Sequence, residues 1–230
     1  MAEFPTLVIM ARAPRVGGVK TRLSRDIGAV ETWRVYRAMS ANIIGRLVAD
    51  RRWRTVLAVT PDAADDALWP PGIERIGQGR GDLGTRMQRL LDRFAPGPVV
   101  LVGTDILGLI PAHVAAAFAA LRRADLVFGP AADGGYWLVG AKGVKRPRHL
   151  FENVRWSSPH ALSDTLKNAG SLKVALIEEL EDLDDAAAYR RSRVAAGRRL
   201  LSPAKEGHEE DPAGDEKQYP ARQRQSVAGA

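Results

Sequence analysis

The sequence predicts an α/β chain: a single domain with a mainly parallel sheet and helices on both faces. Two observations predict it. Apolar runs of strand length alternate with segments of helical period, and several of the runs, such as TLVIMA (6–11) and TVLAVT (55–60), are solid rather than alternating. Solid runs suit strands buried on both faces, and strands spaced by helices imply parallel crossovers.

TLVIMA is the first strand, and the apolar spacing from Ala29 to Asp50 predicts a long helix after an intervening loop. TVLAVT is the second strand, closed by Pro-Asp and a short helix; GIERIGQ (72–78) is the third, followed by a helix over 83–94. PVVLVGTD (98–105) is the fourth strand, and a helix over 111–124 starts on a proline, whose fixed φ suits a first helical turn. DLVFGPA (125–131) is the fifth strand and YWLVGA (136–141) a further apolar run. The rhythm then changes. A basic connector, KGVKRPRH, leads to a helix within 157–170, a strand within 171–180 and a last helix over about 185–201. The domain is therefore expected over 1–201. Residues 202–230, rich in Glu, Asp, Gly, Pro and Gln, are expected to form a disordered tail.

The formal net charge of +7 is unevenly placed: residues 202–230 hold 4 basic and 6 acidic residues, leaving +9 on the body. A basic body suits an anionic partner. Single-strand nucleic-acid platforms interleave aromatic with basic residues; here the five Trp and five Phe are scattered, which argues against nucleic acid. No apolar run approaches the roughly 20 residues of a membrane span. MAEFPTLVIM has neither a basic start nor a small-residue cleavage site, so the expected location is the cytoplasm. The absence of cysteine excludes disulfides, thiolate metal sites and a cysteine nucleophile. The four histidines have no metal-ligand spacing, and no Gly-x-Ser-x-Gly nucleophile motif is present.

Ligands of open α/β sheets bind beyond the carboxyl ends of the strands, and there the sequence is concentrated. ARAPRVGGVKTRL (11–23) packs Arg12, Arg15, Lys20 and Arg22 with Gly17 and Gly18 directly after strand one. It is neither a Walker A loop, since Val19 stands where that motif has glycine before the lysine, nor a Gly-x-Gly-x-x-Gly fingerprint. Its glycines and cations still suit a pyrophosphate, the alternative being a solvated basic turn. Gln78, Gly79, Gly81 and Asp82 follow strand three, and Asp105 ends strand four. EDLDDAAAY (181–189) supplies a second carboxylate cluster, with helix capping as its plainer reading. Two separated carboxylates facing phosphates suit Mg²⁺. GPAADGGYWLVG (129–140) is either a hairpin turn of Asp-Gly type or a close backbone approach.

Together ARAPRVGGVKTRL, QGRGDLGTRM, GTDILGL, GPAADGGYWLVG, RWSSPHAL and EDLDD resemble a bacterial family of glycosyltransferase-A-like, Rossmann-like fold, the radical-SAM/selenodomain-associated transferase 1 family. That family is similar in turn to the molybdenum-cofactor and phospholactate guanylyltransferases. The resemblance implies a nucleotide-diphospho-sugar transferase fold and a metal-dependent transferase using a nucleotide-activated donor, with Mg²⁺ or Mn²⁺ as cofactor. A nucleotide sugar or a nucleoside triphosphate is the implied donor, with a small-molecule acceptor. Glycosyl transfer leads; nucleotidyl transfer with release of pyrophosphate, or a nucleotide-binding module with little turnover, are the alternatives.

By the same resemblance Ala11, Arg12, Gly17, Gly18, Lys20, Arg22, Gln78, Leu83 and Gly84 line the nucleotide, and Lys20, Arg22 and Asp133 take catalytic roles. Asp105 and Asp184 would hold the metal, and Gly134, Gly135, Tyr136 and Trp156 would face the acceptor. The chain departs from the family pattern at Ile106-Leu107, where Cys-Pro is usual, at Asp185-Ala186-Ala187-Ala188, and at Val16 in place of a frequent proline.

Overall fold

A computed structural model describes residues 4–65, 69–143, 147–183 and 185–191. Seven strands form one sheet in the order β3-β2-β1-β4-β6-β5-β7. They are β1 (Thr6–Arg12), β2 (Arg54–Thr60), β3 (Glu74–Gly77), β4 (Val99–Val102), β5 (Leu126–Pro130), β6 (Tyr136–Ala141) and β7 (Val174–Leu176). The helices are α1 (Thr21–Ile27), α2 (Ala29–Val48), α3 (Leu83–Arg93), α4 (Pro111–Ala120) and α5 (Ala161–Asn168). All neighbouring strands run parallel except β6, which is antiparallel to both β4 and β5.

The solid apolar strands fold this way because each supplies side chains to both sheet faces. Leu7, Ile9 and Ala11 of β1 join Ile43, Ile44 and Leu47 of α2 and Val114 and Ala117 of α4 on one side. Val8 joins Met87, Leu90 and Leu91 of α3, with Leu150 and Phe151, on the other. Each buried leucine or isoleucine contributes about 1.5–3 kcal/mol relative to exposure, so the core on both faces sets the strand register.

The expected elements differ in detail. The loop after β1 runs first into the seven-residue α1, and the long helix begins only after Gly28. β4 stops at Val102, so Thr104 and Asp105 stand beyond the strand. The run over 171–180 forms a strand only across Val174–Leu176 and continues as a strap with an isolated bridge from Leu180 to Ala131. In that strap Leu180 N–H donates to the Pro130 carbonyl at 3.2 Å. Of the stretch after β2 where a short helix is expected, residues 61–65 form a turn and residues 66–68 lie outside the described residues. The tail over 202–230, most of the last helix, the centre of the basic connector and Asp184 lie outside the described residues, while 186–191 are helical.

Candidate functional site

A cavity of about 490 Å³ opens at the carboxyl ends of the parallel strands. Because β6 runs the other way, its first residues, Tyr136 and Trp137, reach the same edge as the last residues of β4 and β5. The β5–β6 turn thereby delivers Asp133 to the cavity.

Over β1 to β3 the wall is made by Ala11, Arg12, Thr60, Gln78, Leu83 and Arg86. Tyr36, reaching up from α2, fixes this wall to the next: its hydroxyl accepts from the Arg12 N–H at 3.3 Å and donates to the Arg12 carbonyl at 3.1 Å. It also lies 3.3 Å from Thr104 Oγ1. Gln78 is 4% exposed, and its amide donates to the carbonyls of Ala11 (3.2 Å) and Ala58 (2.9 Å). Both amide hydrogens thus tie strand ends together. Arg86 donates to the Gly81 carbonyl at 3.0 Å and approaches Thr60 Oγ1 at 3.4 Å, leaving its guanidinium on the cavity wall.

Asp105 lies centrally, its carboxylate 2.6 Å from the ammonium of Lys20. The Lys20 side chain is 11% exposed and that of Asp105 34%, so this pair is more shielded than an ordinary surface pair. Lys20 caps α1 in the left-handed backbone region, φ 46°, which L-residues other than Asn and Asp seldom adopt. The strap pairs antiparallel with the segment after β4: Leu107 N–H donates to Glu181 O at 2.8 Å, and Leu183 N–H to Asp105 O at 2.9 Å. Ile106 and Asp182 face each other across this bridge, and Asp182 lines the cavity with Asp105.

The far wall holds Asp133, Gly135, Tyr136, Trp156 and Ser157. The Asp133 carboxylate accepts the Gly135 N–H at 2.8 Å, making the turn expected of Asp-Gly. The stretch is also a close approach: Gly134 has φ 84°, and a Cβ there would meet the Pro159 carbonyl oxygen at 2.4 Å. Tyr136 packs edge-on against Phe128 (5.2 Å) and Trp156 (6.3 Å). Burial pushes its phenol well above the ordinary range. Thr165 donates to Ala161 O, so the Tyr136 hydroxyl 3.4 Å away donates to Thr165. Behind this wall Arg155 forks onto Asp164 at 2.8 and 2.9 Å and holds that carboxyl well below the usual carboxylate range.

Of the residues expected at the site, Ala11, Arg12, Gln78, Leu83, Asp105, Asp133, Gly135, Tyr136 and Trp156 line the cavity, and Lys20 reaches it through Asp105. Gly17, Gly18, Arg22, Gly84 and Gly134 do not. Arg22 is exposed on α1. Gly18 donates its N–H to Arg15 O within a turn of the first loop. Gly84 lets α3 approach Phe151 and Trp156, where a Cβ would sit 2.8 and 2.9 Å from their atoms. Tyr36, Arg86 and Asp182 were not singled out by the sequence. Asp182 belonged to a recognised acidic cluster, and Arg86 lies one helical turn after Leu83 in QGRGDLGTRM. Nothing marked Tyr36. Among the described residues no three carboxylates or histidines gather into a metal cluster, and no helix is long and apolar enough to cross a membrane.

No protein of curated function matches the chain in sequence. Among solved structures, a protein of Desulfovibrio desulfuricans G20, provisionally named a nucleotide-diphospho-sugar transferase, is 26% identical with a TM-score of 0.73; the match covers 87% of this chain and 95% of that one. The inositol-1-phosphate CTP transferase of T. maritima is 15% identical with a TM-score of 0.54, over 85% and 96% of the two chains. Rv0371C of Mycobacterium tuberculosis H37Rv, crystallised with manganese, is 16% identical with a TM-score of 0.50, over 83% and 98%. The fold is that of the nucleotide-diphospho-sugar transferases, glycosyltransferase-A-like. Residues 43–158 match the family described as "uncharacterized protein conserved in bacteria", and the chain belongs to that family, DUF2064.

Proposed function

We propose that the chain is a metal-dependent transferase that takes a nucleotide-activated donor, and specifically a nucleotide-sugar glycosyltransferase. One observation carries this reading: Asp105, already paired with a cation, faces the same cavity as Arg12, Arg86, Asp133 and Asp182. The nucleotide would lie over Ala11 and Leu83, with Arg12, Lys20 and Arg86 offsetting the phosphate charge. Arg22 and the two loop glycines would contribute only at the outer edge.

The carboxylates fit a divalent ion. Asp105 and Asp182 are hard oxygen donors on paired segments, and Mg²⁺ typically takes one or two protein carboxylates and completes its shell with phosphate oxygens and water. They would hold it, with Asp184 as the further ligand that the family resemblance implies. Bound there, the ion would neutralise charge developing on the leaving diphosphate. The chain's own part is positioning and electrostatics. An acceptor hydroxyl forms the new bond at the donor's anomeric carbon as the sugar–phosphate bond breaks. The nucleoside diphosphate leaves with that bond's electron pair, and the hydroxyl proton passes to Asp133. The likeness in fold to a CTP transferase supports a second reading, nucleotidyl transfer, in which an acceptor phosphate attacks the α-phosphorus and pyrophosphate leaves.

A thermal-shift screen of nucleoside triphosphates and nucleotide sugars with Mg²⁺ or Mn²⁺ tests the reading. A true ligand in excess raises the midpoint, and Asp105→Asn abolishes the metal-dependent part of the rise. Absence of any nucleotide shift would refute the proposal. Assay of nucleoside diphosphate against pyrophosphate then separates the two chemistries.

A further inference from the structure

We infer that the acceptor is a neutral or cationic hydroxyl compound with an apolar face, and not a phosphate ester or carboxylate. The inference rests on the transferase reading and identifies the substrate class of the other half of the same cavity. Among the described lining residues charge is segregated. The cations Arg12 and Arg86 belong to the half over β1 to β3, and the carboxylates Asp105, Asp133 and Asp182 to the half over β4 to β6.

Two neighbouring cations among the described residues are already paired. Lys20 is paired with Asp105 at 2.6 Å, and Arg155 is forked onto Asp164 behind the wall. A phosphate entering beside Tyr136 would therefore meet Asp133 without an opposing cation among the described lining residues. Like-charge apposition of this kind discriminates against a ligand more strongly than a matching charge favours one.

The same half offers apolar surface. Tyr136 directs its hydroxyl into Thr165, so it presents its ring to the cavity, and Trp156 packs edge-on beside it at 6.3 Å. Val139 and Ala161 complete an apolar floor. Two rings at an angle, with carboxylate Asp133 at the rim, suit the C–H face of a sugar or an aromatic ring bearing a hydroxyl. They supply no positive charge for an anion. Attack by a neutral hydroxyl is glycosyl transfer, whereas nucleotidyl transfer as written above requires an acceptor phosphate.

The test is calorimetric titration of the full chain with phenyl β-D-glucopyranoside and with phenyl phosphate, which share a ring and differ in charge. The neutral glycoside should bind about tenfold or more tightly than the phosphate, and Trp156→Ala should weaken it about tenfold. Asp133→Lys, at an exposed turn, should invert the order of the two ligands. Mg²⁺–nucleotide should displace neither. Equal or tighter binding of phenyl phosphate to the unmutated chain, binding of neither, displacement by nucleotide, or indifference to both substitutions would each overturn the inference. Nucleotide binding is followed separately by thermal shift. A chain that binds nucleotide but prefers phenyl phosphate refutes only the acceptor class. One that prefers the glycoside but binds no nucleotide refutes the transferase reading.

Discussion

Replacing Lys20 by methionine should raise the affinity of the nucleotide-free protein for Mn²⁺, because the ammonium competes for the carboxylate that would bind the metal. At 2.6 Å the gross attraction is roughly 6 kcal/mol at an effective dielectric constant of about 20. Most of it is offset by desolvation of the two groups. With side-chain exposures of 11% and 34% the pair lies between surface pairs and fully buried ones. A net coupling of about 1–2 kcal/mol follows, or about tenfold in the Mn²⁺ dissociation constant. Titration of Mn²⁺ by electron paramagnetic resonance, without nucleotide, measures this directly. Lys20→Met should at the same time weaken Mn²⁺–nucleotide binding, since the lysine is then missing from the phosphates. Lys20→Gly adds an internal control, for it loses the same charge but relieves the left-handed backbone at φ 46°. It should be more stable than Lys20→Met by about 1 kcal/mol in urea unfolding. An unchanged Mn²⁺ dissociation constant in both variants would refute the role of Asp105 as the metal carboxylate. A glycine variant less stable than the methionine one would refute the strain argument.

Gly134→Ala combines φ 84° with a contact of 2.4 Å to the Pro159 carbonyl, and should destabilise the chain by about 2–4 kcal/mol in urea unfolding. Gln78→Leu removes both donors to the Ala11 and Ala58 carbonyls and should cost about 2 kcal/mol, with the first-loop end of β1 loosening in hydrogen exchange. Asp164 is held below its ordinary range by Arg155, so its contribution is present above the unfolded carboxylate pKa, about 4, and is lost as pH falls through the folded value. The difference in urea midpoint between the unmutated chain and Asp164→Asn should therefore stay level from about pH 7 to 5 and narrow below about pH 4.

What could be read from the sequence follows the range over which each signal acts. Strand and helix identity depends on the period of neighbouring residues, and the run TLVIMA or the spacing over Ala29 to Val48 carries that information locally. Strand direction is not local. YWLVGA is as apolar as its parallel neighbours, and only its pairing with β4 and β5 makes it antiparallel. The Asp-Gly turn was visible as a hairpin candidate, but its delivery to the ligand edge depended on that reversal. Within EDLDD five residues supply four carboxylates, and the strap's pairing of Asp182 with Ile106, not composition, brings Asp182 to the cavity that Asp105 lines. Gln78 and Gly84 were both expected at the nucleotide by the family resemblance. The first has its amide hydrogens bound to strand carbonyls, and the second is small because Phe151 and Trp156 press against it. Side-chain partners across 67 residues of sequence, as between Gln78 and Ala11, leave no mark in a local pattern.

The segregation of charge in the cavity has a topological origin. Cations end or follow the early strands, through Arg12 at the end of β1 and Arg86 after β3, and carboxylates follow the later ones, through Asp105 after β4 and Asp133 after β5. The order β3-β2-β1-β4-β6-β5 keeps early strands on one side of β1 and later strands on the other. A division of charge along the chain thus becomes a division across the cavity, with the Tyr36 hydroxyl bridging Arg12 and Thr104 at the seam. On the proposed reading, a donor carrying phosphates would have its favourable side on the early strands, and Asp105 would offer its carboxylate to a metal where the two halves meet. An acceptor is left the acidic, aromatic half. For this sheet the proposed polarity of the reaction, anionic donor to uncharged acceptor, would follow from which strands carry which loops.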